Sequence, residues 1–547
     1  MPSLLFITLL CIGLYLPGIV TLPPTDRDES RFSQASRQMI ETGDYVRIKF
    51  QEEPRHKKPV GIHWLQAASV KAFGSDIINH IWLYRIPSFL GGLFTSLFVF
   101  IFGRRLFDPS TALLAAVLTA CSLLLVTEAH LATTDALLLA SVVAAQGSLA
   151  LIYIHPRSVA DAGYLLPAIF WMSLGFAVLL KGPIVPVICF LTIIALSLAD
   201  RRFSWLQSLR PLPGLILLTL IICPWSIAIY NATGGTYFSQ AVGEDLLPKL
   251  FSGVESHGGI PGYFLLLMLI TFWPGSIYTG LALIHAWSKR HEPVTRFCLA
   301  WLIPTWILFE LIPTKLPHYI LPTYPALALI TANALFALQN GQINWHRFWP
   351  RRLAMLLWSL TSVGSAILVL LLPWSMEKRI DAISVAVAFL ALLMLYPTLR
   401  LTQRNQVIAS IGTACLGALL VLGPTLQWVL PGINALWLSR GAANIIEAHT
   451  ISSGFQSVPL VAVGYQEPSL VFMTQTTIKL TSADAAADFL RDRGASIAII
   501  DSISDEAFRQ ATNLRQLRTQ LIGGVHGYHY TKGRWTSLRL YSTASNN

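Results

Sequence analysis

The chain has 547 residues, of which 54% are hydrophobic and 12% are charged, about half the charged share of a typical soluble domain, which is roughly 25%. Long apolar segments recur at about the length that crosses a bilayer, which excludes a soluble multidomain protein. The net charge of +11 serves to orient the spans, and no nucleic-acid partner is expected.

In chain order, the hydropathy pattern predicts thirteen spans near residues 3–22, 82–103, 110–128, 134–154, 163–180, 184–199, 212–230, 261–286, 297–312, 319–338, 353–373, 381–398 and 407–430. The first lacks a basic n-region and a small-residue cleavage site, so it is read as an anchor rather than a signal peptide. Arginines cluster in alternate turnarounds, at Arg104 and Arg105, Arg201 and Arg202, Arg351 and Arg352, and Arg400 and Arg404. By the positive-inside rule that side is cytoplasmic. The first loop (23–81), a second large loop (231–260) and the C-terminal tail then lie outside, which in a bacterium is the periplasm.

Directly after the first span comes PPTDRDESRF, with two aspartates, a glutamate and two arginines between Asp26 and Arg31. Phe32, Ala35, Met39 and Ile40 follow at helical spacing, and Gly43 is the natural stop. This pattern predicts an amphipathic helix lying in the membrane interface. Beyond residue 430 the chain becomes more polar. Strands are expected at 458–465 and 476–481, a helix capped by Ser482 and ended by Gly494, a strand through SIAIID, a helix over 504–521, and a hairpin turning at Lys532-Gly533;. The expected organisation is thus a transmembrane domain over 1–430 and a small periplasmic α/β domain over 431–547.

All six cysteines (Cys11, Cys121, Cys189, Cys223, Cys298 and Cys415) fall within expected spans and lack CxxC or Cys/His spacing. Neither a disulfide framework nor a cysteine-built zinc site is expected. Ionisable groups at membrane depth are functional candidates by default. Those at the external span ends are Asp26, Asp28, Glu29 and Arg31; Lys57 and Lys58; Arg85; Glu128, His130 and Asp135; Lys181; Glu244, Asp245, Lys249 and His257; Glu310, Lys315 and His318. All face one predicted side.

The stretches DRDESRF, GDYV, KKPVGIHWLQAA, RIPSFLGG, TTDALLLA, LLKGP, SHGGIPGYF and PTKLPHYILPTYPALAL occur in that order over roughly residues 20–330. Together they resemble the GT-C membrane glycosyltransferases of the protein O-mannosyltransferase and lipid A aminoarabinose transferase type. The resemblance implies a GT-C fold, a polyprenyl-phosphate-linked sugar donor, and lipid A or another envelope glycolipid as acceptor among the membrane lipids. Residue by residue it implies Asp28 and Asp135 as catalytic carboxylates, and Lys58, Arg31, Lys315 and Tyr319 at the donor phosphate. Glu29, Arg85 and His257 are weaker substrate contacts. Where the aminoarabinose transferases read Glu-Lys-Pro, this chain has Lys57-Lys58-Pro59. The glutamate that would share a structural metal with a histidine such as His257 is missing, so no metal or other cofactor is expected to be required.

Chemistry points the same way. Loss of a lipid phosphate from an anomeric carbon leaves negative charge for fixed cations to meet. A carboxylate on the opposite face would orient or deprotonate the acceptor for one inverting displacement. Simpler readings exist for several residues. Asp26-Arg27-Asp28 also fits a DxD metal motif, Glu29 and Asp135 fit helix starts, Lys181 fits a snorkelling residue, the histidines fit ordinary hydrogen-bonded positions, and Glu244 and Asp245 fit a solvated loop face. A protein O-glycosyltransferase and a lipid or solute transporter are the alternative functions. The transporter would need charges buried mid-span and an inverted repeat.

Overall fold

The computed structural model describes residues 2–74, 77–155, 163–251, 259–343, 350–454 and 457–543. Among them eight helices are long and apolar enough to cross a membrane, and nine if Pro109–Cys121 and Leu123–Ala129, bent by 61° at Ser122, count as one. Pro2–Tyr15, Leu165–Lys181 and Ile184–Asp200 are shorter apolar helices. The chain is a multi-pass membrane protein. The thirteen expected segments are helical over most of their lengths, but not as thirteen uniform rods. Tyr263–Thr271 stops ahead of Pro274, and the chain restarts through a short 3-10 turn into Thr279–Ser288. Proline cannot donate to the preceding turn, so an apolar run containing one need not be one helix.

Two glycines bring the functional elements together. A Cβ on Gly91 would lie 2.5 Å from the backbone nitrogen of Leu137, so only glycine lets Ile81–Leu106 touch the start of Asp135–Ile154. A Cβ on Gly61 would lie 2.7 Å from the carbonyl of Leu179, which seats Gly61–Phe73 against the end of Leu165–Lys181. Small residues at such crossings are the usual route to close helix contact in membranes.

The first loop departs from expectation. The helix Asp28–Thr42 forms where its periodicity placed it and ends at Gly43, whose N–H donates to Met39 O at 2.9 Å with a φ of 72°. It is not a bare amphipathic surface helix: ten of the eleven residues from Glu29 to Met39, polar and apolar alike, are buried in protein. Phe32 joins the main membrane core, while Ala35 and Met39 pack with Val60, Leu179 and Trp225. Its polar face is covered by the C-terminal domain: Gln34 donates to Thr476 Oγ1 at 2.7 Å and Arg37 to Phe472 O at 2.8 Å. The loop also holds the short ladder β1 (Lys49–Phe50) and β2 (Glu53–Pro54) and the helix Gly61–Phe73.

The tail is a five-stranded mixed sheet in the order β4-β3-β5-β7-β6, built from β3 (Leu460–Val463), β4 (Lys479–Thr481), β5 (Ile497–Asp501), β6 (Thr519–His529) and β7 (Arg534–Thr543). β3 pairs in parallel with β4 and β5, and β7 runs antiparallel to β5 and β6. Alternation sorts the central strands onto two cores: Leu460, Ala462, Ile497 and Ile499 on one face, and Val461, Val463, Ala498 and Ile500 on the other;. The helix expected over 504–521 is confined to Asp505–Leu514, since Thr519–Gly524 enter the long strand β6. The helices Leu438–Ser452 and Pro468–Met473 were not anticipated.

Candidate active site

The charged stretch after the first span divides its work between adjacent residues. Glu29 is buried and accepts five hydrogen bonds: from Thr25 N (2.7 Å) and Oγ1 (2.9 Å), from Ala132 N (3.0 Å), and from Arg85 Nε (2.7 Å) and Nη2 (3.1 Å). Arg85 is also fully buried and gives its remaining N–H groups to the carbonyls of Ile19 (3.0 Å), Leu22 (2.6 Å) and Pro23 (3.0 Å). A guanidinium has five donors, and all are used here. The pair joins the first span's exit, the loop helix, Ile81–Leu106 and the turn before Asp135. Glu29 and Arg85 are therefore a structural clamp, with no polar group left over for substrate.

One residue earlier, the Asp28 side chain is 65% exposed, and its Oδ1 lies 4.0 Å from Arg55 Nη2. Arg55 rests over the Phe32 ring at 5.1 Å. Burial lowers the Arg55 pKa, Asp28 and Asp245 oppose that shift, and the charge of Arg31 adds to it. Asp28, Arg31 and Arg55 thus share one electrostatic environment.

Asp26 faces away from this group. Ser469 N donates to its Oδ1 at 3.3 Å, its own N–H donates to Tyr530 Oη at 2.7 Å, and Arg27, at a φ of 67°, donates to Thr531 O at 3.1 Å. The tip of the β6–β7 hairpin grips the two residues ahead of Asp28. Asp26 and Asp28 diverge, so the DxD reading has no common point for an ion. Burial pushes Asp26 up to about 6, and the nearby Glu467 charge adds to the rise. The folded state then holds this proton more tightly than the unfolded chain, with its ordinary value of about 3.9. The contribution to stability is complete below about pH 4 and is lost as pH rises through about 6. Asp26→Asn is accordingly expected to raise the melting temperature at pH 7.5 and to flatten its dependence between pH 4 and 6. A variant that melts at or below the wild type at pH 7.5 would contradict this.

On the other side of the mouth, Lys58 Nζ lies 3.0 Å from Asp245 Oδ2, and Lys249 Nζ lies 2.5 Å from Asp245 Oδ1. Burial pushes Lys58 down to about 8; Asp245 opposes this, while Lys249 and Lys181 reinforce it. Burial would raise Asp245, but its two lysines more than reverse that and hold it below the usual carboxylate range. One carboxylate cannot neutralise two ammonium groups. Asp245 is therefore part of the site and not the solvated loop face expected from sequence.

The floor of the mouth is at the span ends. Asp135 accepts from Lys181 Nζ at 2.5 Å, and that lysine sits 5.8 Å over the Tyr319 ring. Lys181 is thus an ion-pair partner, not a snorkelling residue. His318 Nδ1 is 3.9 Å from Glu128 Oε1. His130 is an ordinary hydrogen-bonded residue, 2.7 Å from the carbonyls of Val126 and Pro17. Lys315 turns inward: its Nζ donates to Glu310 O at 2.5 Å and lies 3.5 Å from the Glu310 carboxylate, which itself caps the N–H groups of Gly262 and Phe264. His257 lies outside the described residues.

Asp28, Arg31, Arg55, Lys58, Asp135, Lys181, Asp245 and Lys249 act on one another electrostatically. Glu128 also acts on Lys181, Asp135 and Asp28, so five cations face four carboxyl groups and the cations are in excess. Sequence reading missed Arg55 and the role of Asp245. The available signals were the placement of Arg55 three residues before Lys58, and the i,i+4 spacing of Asp245 and Lys249. Among the described residues no group of three or more His, Cys, Asp or Glu side chains is placed to hold a metal ion, and Lys57 stands exposed where a carboxylate ligand would be needed.

The fold matches a solved structure over nearly its whole length. ArnT from Cupriavidus metallidurans bound to undecaprenyl phosphate superposes with a TM-score of 0.73 and 19% identity, covering 99% of this chain and 98% of that one. The chain has the GT-C fold. A more distant GT-C structure, the Archaeoglobus fulgidus oligosaccharyltransferase in the apo form, gives a TM-score of 0.53 at 13% identity over 91% of this chain and 69% of that one. In sequence, residues 57–227 match the family model for dolichyl-phosphate-mannose-protein mannosyltransferase. Two curated relatives bear the name undecaprenyl phosphate-alpha-4-amino-4-deoxy-L-arabinose arabinosyl transferase. The Enterobacter protein is 25% identical over 64% of this chain and 62% of its own length. The Pseudomonas paraeruginosa protein is 29% identical over 56% and 55%. The chain thus spans under two thirds of the length of these relatives.

Proposed function

We propose that this GT-C protein moves a sugar from a polyprenyl-phosphate donor to lipid A, or a closely related envelope glycolipid, at the periplasmic face of the bacterial inner membrane. The observation that carries the proposal is the excess of cations over carboxyl groups beside an exposed carboxylate at one mouth of the helix bundle. The lipid-linked donors in the relatives' names support it, and so do arginine-rich turns on the opposite side, which orient the mouth outward.

The charge balance suits this reaction. The donor is a phosphodiester with one negative charge, and the departing lipid phosphate is a monoester with nearly two. Cations in excess grip the product-like charge better than the donor's, which is the differential binding that lowers a barrier. Lys58 and Lys249 sit where a phosphate can share them with Asp245, and Arg31 and Arg55 offer forked contacts. Asp28, across the mouth, orients the acceptor oxygen and takes its proton if that oxygen is a hydroxyl. The anomeric carbon–oxygen bond to phosphate breaks as the new bond forms from the opposite face, inverting the centre. Asp135, fixed by Lys181, steadies positive charge developing on the sugar. Protein acceptors are the second reading, favoured by the mannosyltransferase family match.

The direct test is to incubate the purified protein in liposomes with undecaprenyl-phosphate-linked aminoarabinose and lipid A, and to read the lipids by mass spectrometry. A lipid A species heavier by one sugar is expected. Transfer to a secreted protein but not to lipid A would move the assignment to the second reading, and no transfer to either would end it. Lys58 adds a pH dependence. Its ammonium form is required for the donor and is lost above about pH 8, so kcat/KM for the donor should fall above that pH. A profile that stays flat to pH 9.5 would remove Lys58 from donor binding.

A further inference from the structure

A second polar cleft, about 1050 Å³ in volume, opens between the β1–β2 ladder and the exposed edge strand β4. None of the residues at the mouth line it. The helix Asp28–Thr42 links it to the active site, since Gln38 on that helix lines the cleft. Gln38 lies ten positions from Asp28, about 15 Å along a helix.

The cleft is a built site. Gln38 is buried, donates from Nε2 to Gln51 O at 2.5 Å, and leaves its Oε1 without a hydrogen-bond partner. Gln51, at a φ of 55°, donates from Nε2 to the carbonyls of Thr476 (3.0 Å) and Ile478 (2.7 Å). These bonds strap the first loop to the sheet and form one side of the cleft. They also occupy carbonyls leading into β4, so a peptide adding as a further strand would meet an edge already in use. The walls differ in chemistry. Glu52 and Glu53 line it from the first loop, Thr477 and Thr481 from the sheet domain, and Phe50 and Phe489 add aromatic surface. Lys479 Nζ lies 5.7 Å from the Phe489 ring and the Arg493 guanidinium 5.9 Å, so two exposed cations bracket one ring.

Carboxylates, hydroxyls, aromatic surface and a pair of exposed cations lining one cleft suit a hydroxyl-rich ligand that also carries an anionic group. From this we infer that the cleft binds the saccharide portion of a phosphorylated glycolipid acceptor, away from the atom that receives the sugar. The inference deepens the glycolipid reading above and rests on it. The cleft sets acceptor affinity and does no chemistry.

The test uses full-length protein in detergent and, as probe, the deacylated phosphorylated oligosaccharide of a bacterial envelope glycolipid, with binding read by calorimetry. Wild type and Asp28→Asn should bind it alike. Lys479→Ala and Arg493→Ala, both at exposed positions where folding is not at stake, should each weaken binding about tenfold. With active protein, each should raise KM for the intact acceptor and leave kcat, and KM for an acceptor lacking the outer sugars, unchanged. Wild-type affinity in both variants, or no binding by the wild type, would overturn the inference. Tighter binding of an unrelated extended peptide than of the oligosaccharide would do the same. Because binding is read without turnover, a lack of transfer activity would count against the proposed reaction alone.

Discussion

Asp28→Asn is expected to lower kcat by about 10²–10⁴-fold if the acceptor oxygen is a hydroxyl, the usual size of a lost general base. Its side chain is 65% exposed and only loosely paired with Arg55 at 4.0 Å, so the exchange should leave folding intact. The donor phosphate is assigned to Lys58 and Lys249 with forked contacts from Arg31 and Arg55, all of which the variant keeps, and KM for the donor should therefore change less than kcat. The size of the fall is itself informative. A phosphate acceptor needs no proton removed, so asparagine could still position it and the loss would stay within about tenfold. Single-turnover measurement with donor and lipid A distinguishes the two. An unchanged kcat would remove Asp28 from the reaction, and Arg31 and Arg55 would then be left as a phosphate site without an opposing base.

Asp28 and Glu29 also show how far the sequence could be read. Both were visible as a charged pair at a helix start, and the helix, its stop at Gly43 and the family resemblance were legible from periodicity and motif order. Their division of labour was not. It depends on a two-bond contact with Arg85, 56 positions away, and no local pattern encodes that. The same holds for the loop helix, whose spacing gave its apolar stripe correctly. Its polar face looked fit for water because glutamine, serine and arginine usually are. Those residues instead meet Thr476 and the Phe472 carbonyl of a domain more than 430 positions later. Lys181 and Asp245 were misjudged for a related reason. A single charge at a span end reads as solvated until its partner is known, and each partner came from a different segment. Lys315 had a partner no motif announced: Glu310, five residues earlier, lies 3.5 Å from its ammonium group.

Arg85→Ala is expected to cost about 3–5 kcal/mol of stability, the penalty for leaving a buried ion without its partner. Glu29 would keep its bonds to Thr25 and Ala132 but would be a buried carboxylate with no counter-charge, and the carbonyls of Ile19, Leu22 and Pro23 would lose their donor. Thermal and denaturant unfolding in micelles give the measurement. A loss within about 1 kcal/mol of wild type would show that the clamp is replaceable by water. Should the variant fail to accumulate, Arg85→Lys keeps the charge but gives up the fork and is expected to lose less. Glu29→Leu with Arg85→Leu removes both charges at once and should be less damaging than the two single losses added together, since residues in one network are not additive. The clamp lies one residue from Asp28, so its loosening should reach the chemistry. In Arg85→Lys, kcat should fall further than stability alone explains, because Glu29 sets the start of the helix that carries Asp28.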